Sequence, residues 1–392
     1  MGAARRDEGM LCGVTPDFDA LTLEQLKRRQ SVKWRTYEPD VLPAWVAELD
    51  VPLAEPVRAA LLRAVEDGDT GYATPGALAP SFGGFAARRW GWEVDPARCW
   101  PVADVMVGVG EALTRLTPPG AGVVLCPPVY HPFSTVLPER GRVAVEVPLL
   151  RGALDLAGID RALAAGARAV LLCNPHNPTG RVWDPEELDA LDEVVRRHDA
   201  LVISDEIHGP LVLPGATFTP WLARGDRRGV AVVSASKAFN LAGLKAALLV
   251  AGDGPVQDRL AGLPEEVAFR AGHLGVLTGC AAYDEGDVWL DGLLQHLDRN
   301  RTRLGALLAE HLPQVRWEPP QASFLAWLDC RALPLGAPGR SPAAAFLERG
   351  RVALVDGAEY GAREGAGYAR LNFGTPAEVL TEAVRRMAAA VD

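Results

Sequence analysis

Cysteine, histidine and long apolar runs are all scarce in this sequence, and each scarcity excludes a class of protein. The six cysteines are scattered along 392 residues without a Cys-x-x-Cys pair, and the seven histidines show no His-x-x-His or His-Glu-x-x-His spacing. These patterns predict reduced core cysteines and no bound metal. Every apolar run is interrupted by a charge, a glycine or a proline, so no membrane-spanning segment is predicted.

Basic residues are also fewer than acidic residues. The 40 lysines and arginines are outnumbered by 50 acids, which gives a net charge of −10. This balance argues against nucleic acid or an anionic membrane as the main partner. The charged residues Arg5, Arg6, Asp7 and Glu8 are followed by no apolar region, so no secretion signal is predicted. Together with the unpaired cysteines, these features predict a cytoplasmic protein.

The sequence does contain a regular alternation of short apolar runs and amphipathic stretches. Six of the runs are strand-like: Gly122–Cys126, Ala144–Pro148, Ala169–Cys173, Leu201–Ser204, Val230–Ser234 and Ala246–Ala251. Asp184–Arg197 is the clearest helix between them. Alternating strands and helices predict an α/β fold, in which a mostly parallel sheet is sandwiched by helices.

The pattern changes near residue 287. Leucines at helical spacing mark one long helix over Asp287–Leu312, and shorter strands and a final helix at Ala377–Ala390 follow. We therefore expect a large domain over residues 51–288 and a smaller α+β domain over 289–392. Residues 1–50 would form an N-terminal arm and part of the small domain.

A glycine-rich stretch, Gly108-Val109-Gly110, lies between a predicted strand at Val102–Val107 and a predicted helix at Glu111–Leu116. It is similar to a dinucleotide-binding fingerprint, but Leu113 occupies the place of the third glycine, which argues against a Rossmann site. A glycine-rich turn before a helix can still present free N–H groups to a phosphate. An ordinary tight turn is the alternative interpretation.

Three of the predicted parallel strands end in polar residues that could share one crevice. The segments are Cys173-Asn174-Pro175-His176-Asn177-Pro178-Thr179-Gly180, Ser204-Asp205-Glu206-Ile207-His208 and Ser234-Ala235-Ser236-Lys237. The carboxyl ends of parallel strands meet at one edge of a sheet, where ligands bind. Apolar neighbours should lower the pKa of Lys237 and leave a nucleophilic amine, although a lysine pointing into water is the simpler alternative.

One small molecule would satisfy both the amine and a buried acid at these strand ends. The acid needs a cationic partner and the amine needs a carbonyl. Pyridoxal phosphate offers a pyridine nitrogen, an aldehyde and a phosphate, so it is the cofactor predicted here. The Ser-x-x-Lys motif of serine acyl enzymes also matches Ser234 to Lys237, but the sequence contains neither Ser-Asp-Asn nor Lys-Thr-Gly to accompany it.

These motifs together resemble those of a known family. Asn-Pro-His-Asn-Pro-Thr-Gly, Asp-Glu-Ile-His and Ser-Ala-Ser-Lys-Ala-Phe-Asn-Leu-Ala-Gly-Leu are similar to motifs of the fold-type-I pyridoxal-phosphate enzymes, in the class I/II aminotransferase superfamily. The resemblance covers residues 30–385. Within the superfamily it is closest to the cystathionine β-lyase-like C–S lyases, on the segments Lys33-Trp34, Trp45-Val46-Ala47 and Pro128-Val129-Tyr130-His131-Pro132-Phe133.

The resemblance implies roles around the cofactor ring. Lys237 would bind the cofactor aldehyde covalently and later move the substrate α-proton. Asp205 would pair with the ring nitrogen, Asn177 would donate to the ring 3′-oxygen and Tyr130 would stack on the ring face. His208 takes the place of a tyrosine that aminotransferases usually carry, and the histidine is typical of the lyase branch.

The resemblance also implies a phosphate site and a second subunit. Val109 and Gly110 would offer backbone N–H groups to the phosphate, and Ser234 and Lys245 would bind it with their side chains. Lys245 replaces an arginine of the aminotransferases. Tyr72 would reach the phosphate of the neighbouring subunit, which implies a homodimer with shared active sites. Core packing is the alternative for Tyr72, as it is for Tyr130.

For the substrate, Arg370 would grip the carboxylate of an amino acid, unless it is a solvated strand arginine. Asn177 and the entrance residues Trp45, Val46 and Ala47 would also contact the substrate. The lyases usually read Trp-Val-Ala-Asp-Met-Asp-Phe at the entrance, whereas this chain continues with Glu48-Leu49-Asp50-Val51.

The predicted activity is cleavage of L-cysteine S-conjugates, such as cystathionine, to a thiol, pyruvate and ammonia by a pyridoxal-phosphate-dependent C–S β-lyase. An aminotransferase that moves an amino group between an amino acid and a 2-oxoacid is the alternative, because both reactions use the same residues next to the cofactor. A non-catalytic regulator or scaffold is a third interpretation. The presence of Lys237, Asp205, Asn177 and Arg370 argues against it.

Overall fold

The computed structural model describes residues 16–224, 227–252, 254–335 and 340–391. The strands are β1 Leu42–Pro43, β2 Cys99–Val102, β3 Gly122–Leu125, β4 Val143–Glu146, β5 Ala167–Cys173, β6 Leu201–Asp205, β7 Gly229–Val233, β8 Ala247–Ala251, β9 Arg316–Trp317, β10 Leu325–Asp329, β11 Val352–Ala353, β12 Val355–Asp356 and β13 Tyr368–Asn372. The helices are α1 Leu23–Lys27, α2 Val32–Arg35, α3 Glu55–Glu66, α4 Leu78–Trp90, α5 Val105–Leu116, α6 Pro132–Glu139, α7 Leu156–Ala164, α8 Pro185–Arg197, α9 Gly254–Leu260, α10 Glu265–Phe269, α11 His273–Glu285, α12 Asp287–His311, α13 Pro342–Gly350 and α14 Ala377–Ala389.

A seven-stranded sheet forms the centre of the fold, in the order β2-β8-β7-β6-β5-β3-β4. Only β8 runs opposite to the others, and it pairs antiparallel with both β2 and β7. All residues of β6, β7 and β8 are buried, as expected of strands covered on both faces. Helices pack on the sheet, so the predicted α/β architecture with a mostly parallel sheet is confirmed.

The predicted strand at Val102–Val107 is wrong, because β2 ends at Val102 and α5 begins at Val105. Asp104 caps this helix by accepting a hydrogen bond from the Val107 N–H at 2.9 Å. The glycine-rich stretch therefore lies inside the helix and forms no turn. A Cβ on Gly108 would come within 2.8 Å of Val232 Cγ1, so the glycine lets the helix approach the sheet.

A second, four-stranded antiparallel sheet has the order β12-β13-β10-β9. Its strand β13 places Arg370 opposite Trp327 of β10 and Val355 of β12. The long helix α12 appears as predicted, with its leucine face buried. The two-residue strand β1 pairs in parallel with β11, which joins the N-terminal segment to the C-terminal part of the chain. The division into domains at residues 50 and 288 stays a prediction.

The five described cysteines, at positions 99, 126, 173, 280 and 330, are all free thiols. Among the described residues, no helix combines the length and apolar character that crossing a membrane requires. Cys12 and the charged residues Arg5 to Glu8, which entered the sequence predictions, lie outside the described residues.

Candidate active site

A cavity of about 350 Å³ opens at the carboxyl ends of β5, β6 and β7. Ten of the predicted site residues line it: Val46, Ala47, Tyr130, Asn177, Asp205, His208, Ser234, Lys237, Lys245 and Arg370. The three strands are hydrogen-bonded neighbours, so their ends lie side by side as the sequence predicted. The convergence of an amide, a carboxylate and an amine is therefore a property of the sheet topology.

Lys237 lies on the loop after β7 and reaches across the cavity to the N-terminal segment. Its Nζ donates a hydrogen bond to the carbonyl oxygen of Ala47 at 2.9 Å. Burial of the amine, with a further contribution from the Arg370 charge, lowers the pKa of Lys237 from 10.5 to about 8, while Glu48 and Asp205 oppose the shift. A larger fraction of the amine is therefore neutral at pH 7 to 8 than in an ordinary lysine, and the role of the amine as a nucleophile stays a prediction.

Asp205 ends β6 and is 3% exposed. One carboxylate oxygen, Oδ1, accepts a hydrogen bond from the Ile207 N–H at 3.1 Å. Burial raises the pKa of Asp205 from 3.8 to about 7, although the Ile207 N–H and the Lys237 charge favour the ionised form. A carboxyl group desolvated to this degree would be stabilised by a cation placed in the cavity.

Arg370 projects from β13 into the same cavity and is 4% exposed. Its guanidinium donates to Asn177 Oδ1 at 3.0 Å and to the Trp45 carbonyl at 2.9 Å, and it lies over the ring of Tyr360 at 5.1 Å. The Nε atom is buried without a hydrogen-bond partner among the described residues. The interpretation as a solvated arginine is therefore wrong, and a donor remains for an anionic ligand.

His208 lines the cavity three residues after Asp205 and is buried. Burial, together with the charges of Lys237 and Arg370, lowers its pKa from 6.5 to about 3. The imidazole is consequently neutral at physiological pH. Its Nδ1 has no hydrogen-bond partner among the described residues.

The end of the cavity next to α5 differs from the prediction. Val109 and Gly110 lie in the second turn of the helix, where their N–H groups are used by the helix itself, so they cannot serve as free donors. A Cβ on Gly110 would meet the Arg140 guanidinium at 2.7 Å, so this glycine accommodates a neighbouring side chain. The first-turn residues Val105 and Met106 line the cavity instead, and their N–H groups have no partner inside a helix.

The side chains of Lys245 and Ser234 at this end of the cavity already form hydrogen bonds with other protein groups. Lys245 Nζ donates to Asp104 Oδ2 at 2.9 Å. The Ser234 hydroxyl donates to the Ala246 carbonyl at 2.6 Å and accepts from the Ser236 N–H at 3.1 Å. Lys245 and Ser234 therefore lie where they were predicted, but each has a protein partner, and Ser236 is a cavity residue that the sequence reasoning missed.

Besides Val109 and Gly110, two further predicted residues, Tyr72 and Trp45, do not line the cavity. Tyr72 is 86% exposed, and its ring makes an edge contact with Phe269 at 6.2 Å. Core packing is therefore wrong as an interpretation of Tyr72. The Trp45 indole packs on the ring of Tyr37 at 5.7 Å, so Trp45 contributes its backbone carbonyl to the site rather than its side chain.

The sequence reasoning also missed what fixes the entrance segment. Lys33 and Asp50 form a buried ion pair at 2.6 Å, with side chains 2% and 1% exposed. The Trp34 indole donates to the other oxygen of Asp50 at 2.9 Å. Lys33-Trp34 was interpreted only as a family resemblance. A lysine followed by a tryptophan carries no local signal for a partner 17 residues away.

Comparison with known proteins identifies the family. The sequence profile described as aminotransferase class I and II matches residues 95–387. The chain belongs to the class I and II aminotransferase family. Membership confirms the resemblance inferred from the motifs, and the three strand ends that form the cavity all lie inside the matched region.

Relatives within the class I and II aminotransferase family match nearly the whole chain. A Mycobacterium leprae protein, named provisionally as a cystathionine beta-lyase, is 45% identical over 395 residues, which cover 95% of this chain and 98% of that protein. The cystathionine beta-lyase PatB of Bacillus subtilis is 35% identical, with 92% and 97% covered. A crystal structure from Corynebacterium diphtheriae, named provisionally as a PLP-dependent beta-cystathionase, superposes with a TM-score of 0.91 at 34% identity and covers 96% and 99%.

Proposed function

We propose that this protein is a pyridoxal-phosphate-dependent C–S β-lyase that cleaves L-cysteine S-conjugates to a thiol, pyruvate and ammonia. The observation that carries the proposal is the presence of the Lys237 amine, the Asp205 carboxylate and the Arg370 guanidinium in the wall of one cavity. The relatives named as cystathionine beta-lyases, at up to 45% identity, support the lyase branch that the motifs predicted.

The residues of the cavity fit pyridoxal phosphate in their chemistry. Lys237 would bind the aldehyde, because the lowered pKa leaves part of the amine neutral. The desolvated carboxyl of Asp205 would gain a cationic partner in the protonated ring nitrogen. Since Asn177 uses its Oδ1 to accept from Arg370, its N–H donors are left for the ring oxygen.

For the phosphate, the structure suggests donors that differ in part from those predicted. The first-turn N–H groups of Val105 and Met106 would bind it at the start of α5. Ser236 and Lys245 would complete the site, with Lys245 also neutralising Asp104 beside the anion. Tyr130 lines the cavity and would cover the ring.

When bound, pyridoxal phosphate supplies an electron sink that acidifies the α-proton of an amino acid and lets a group leave from Cβ. The protein residues provide position and proton transfer. Arg370 would hold the substrate carboxylate, since its Nε is unpaired among the described residues. Lys237 would take the proton from Cα, with the Ala47 carbonyl accepting from its amine. The apolar side chains of Val46 and Ile207 would limit the access of water.

The decisive experiment separates the lyase from an aminotransferase. The purified protein, loaded with pyridoxal phosphate, is incubated with L-cystathionine alone and, separately, with L-alanine and 2-oxoglutarate. We expect free thiol and pyruvate to appear in equal amounts from cystathionine. Formation of glutamate in the second mixture, with no thiol in the first, would reject the lyase and favour the aminotransferase.

We infer that the protein acts as a homodimer in which Tyr72 enters the site of the neighbouring subunit. Tyr72 and Phe269 are 86% and 47% exposed, and their rings contact each other on the surface of one chain. Large exposed aromatic side chains of this kind are typical of subunit interfaces. The phenol would add a hydrogen-bond donor to the phosphate site, where Lys245 is already paired with Asp104.

Mixing two inactive variants tests the shared site. Tyr72→Ala and Lys237→Ala are each expected to have little activity as separate proteins. After subunit exchange in equal amounts, half of the dimers are mixed, and each mixed dimer contains one site with both native residues, so about a quarter of the wild-type activity should return. Absence of recovery, although size-exclusion chromatography shows exchanged dimers, would contradict a site shared through Tyr72.

The pKa of Lys237 predicts how cofactor loading depends on pH. Only the neutral amine attacks an aldehyde, and below a pKa of about 8 its fraction rises about tenfold per pH unit. The rate constant for loading the apoprotein, followed by visible absorbance, should therefore climb between pH 6 and 7.5 and level off above pH 8.5. A rate that keeps rising to pH 10 would indicate an ordinary lysine with a pKa near 10.5.

We infer a cytoplasmic location from the state of the cysteines. Cys126, Cys173 and Cys330 are buried free thiols. Burial raises the pKa of the Cys126 thiol to about 12 and also raises the pKa of Cys173, so both are unreactive. Unreactive reduced thiols are what a reducing compartment favours.

A further inference from the structure

Residues 45–50, which we call the entrance strap, bind the Lys237 amine and the Arg370 guanidinium through backbone carbonyls. The Trp45 carbonyl accepts a hydrogen bond from Arg370 at 2.9 Å, and the Ala47 carbonyl accepts one from Lys237 at 2.9 Å. The two accepting carbonyls are thus two residues apart in the sequence, so one short segment holds both the amine and the guanidinium. Their relative position depends on whether the entrance strap is fixed.

Asn240 ties the entrance strap to the loop that carries Lys237. Its Oδ1 accepts from the Leu49 N–H and its Nδ2 donates to the Leu49 carbonyl, each at 2.9 Å. The side chain therefore satisfies both backbone groups of one residue, as a neighbouring strand would. The backbone of Asn240 has φ 59°, a left-handed conformation that asparagine tolerates better than most residues.

Asn372 ties the entrance strap to the strand that carries Arg370. Its Nδ2 donates to the carbonyls of Val46 and Glu48, both at 2.7 Å, and its Oδ1 accepts from the Gly374 N–H at 2.8 Å. Asn372 is 1% exposed, so its amide group is shielded from water. Asn372 lies two residues after Arg370 on β13.

The far end of the entrance strap is anchored independently. Asp50 forms the buried pair with Lys33 and accepts from the Trp34 indole. Arg29 donates to the carbonyls of Leu49 and Val51, each at 2.9 Å. With one end fixed in this way, a change at either asparagine would alter the course of residues 45–49 without releasing the whole segment.

We propose that Asn240 and Asn372 are positioning residues that set the spacing between the Lys237 amine and the Arg370 guanidinium through the entrance strap. The inference rests on the proposed function, in which one group grips the carboxylate and the other moves the proton of the same substrate. Carboxylate and α-proton are attached to a single carbon, so the two protein groups have to keep one separation to act together. Asn240 lies three residues after Lys237 on the same loop, so we assign the position of the amine to Asn240. Asn372 lies two residues after Arg370 on β13, so we assign the position of the guanidinium to Asn372.

The test compares Asn240→Gly and Asn372→Ala with Asn300→Ala in the full-length, cofactor-loaded enzyme. Glycine accepts the positive φ of residue 240, so this variant removes the side chain without backbone strain. Asn300 is a matched control, since it is 1% exposed and donates to two carbonyls, those of Phe373 and Thr375, and its hydrogen bonds do not involve the entrance strap. The measurements are kcat and KM for L-cystathionine, Tm, and the dissociation constant of propionate, which reports how well Arg370 holds a carboxylate.

We expect the two asparagines to have different effects. Asn372→Ala should raise KM and the propionate dissociation constant about tenfold and change kcat little, because a carboxylate held less well by Arg370 binds less tightly. Asn240→Gly should lower kcat about tenfold and leave propionate binding unchanged, because the proton-transfer group is displaced. Asn300→Ala should lower Tm alone.

The proposal is overturned if Asn240→Gly and Asn372→Ala behave like Asn300→Ala, with Tm lowered and kcat, KM and propionate binding within about twofold of wild type. Should either variant fail to fold, Asn240→Ser and Asn372→Ser, which keep one polar atom, are measured for the same split. If the wild-type protein releases no thiol, the proposed function fails on its own. In that case, propionate binding still tests the inference for Asn372. The fraction of cofactor that borohydride fixes to the Lys237 amine still tests the inference for Asn240.

Discussion

Lys237→Ala is expected to reduce thiol release from L-cystathionine by at least about a thousandfold, because the change removes a nucleophile and a proton-transfer group at once. Burial lowers the pKa of this lysine to about 8, and the Ala47 carbonyl accepts a hydrogen bond from its amine inside the cavity. Borohydride reduction of the loaded protein should fix the cofactor to the wild-type chain. It should fix none to the variant, which mass spectrometry of the intact protein would show.

Lys245→Ala is the matched control for this experiment. Lys245 lines the same cavity, but its amine is paired with Asp104 and its side chain is 54% exposed. The control should still form the fixed adduct and should lose only part of its affinity for the phosphate of the cofactor. A Lys237→Ala variant that retains the adduct, or a Lys245→Ala variant that loses it, would show that the wrong lysine has been assigned.

Asp205→Asn is expected to lower activity by about a hundredfold to a thousandfold, while it makes the apoprotein more stable at neutral pH. The loss of activity follows because an amide cannot balance a positive charge on the ring nitrogen. The gain in stability follows from the pKa of Asp205, which is 3.8 in the unfolded chain and about 7 in the folded one. Such a shift destabilises the folded state as pH rises from 3.8 to 7, and the full penalty persists above pH 7.

The two effects of Asp205→Asn are measured separately. Thermal unfolding of the two apoproteins should give a higher Tm for the variant at pH 8, and the difference should vanish below pH 4. Glu206→Gln is the control, because burial raises the pKa of Glu206 to about 8 and the carboxyl is largely protonated at neutral pH. Its activity should stay close to wild type. Equal activities of the two variants would contradict the role assigned to Asp205.

The sequence predicted the fold well where a single physical pattern dominates. Five largely buried strands, β3 and β5 to β8, appear as apolar runs, whereas β4 is an edge strand with exposed residues. The order of strands in the sheet brings the carboxyl ends of β5, β6 and β7 side by side. Asp205 and Lys237 were located for this reason. The stretch from Val102 to Val107 failed because valine favours strands in general, whereas the capping carboxylate of Asp104 starts a helix at that point.

Other parts of the site had no local signature. The contacts of Arg370 with Trp45 and of Lys237 with Ala47 use backbone carbonyls, which any residue type would supply. The partners are separated by 325 and 190 residues, so no period or spacing links them. Tyr72 illustrates a different limit, since the partner proposed for it belongs to another copy of the chain.

The hydrogen bonds between the entrance strap and β13 have a consequence for recombining this protein with its relatives. Residues 29–50 contain no proposed catalytic side chain, yet they carry the carbonyls that hold the amine and the guanidinium. A chimaera that takes this N-terminal stretch from one parent and β13 from another would combine an entrance strap with an Arg370 and an Asn372 from a different protein. The hydrogen bonds between the two segments would then no longer come from one parent. Crossover points placed so that both pieces come from the same parent should give the larger share of active hybrids.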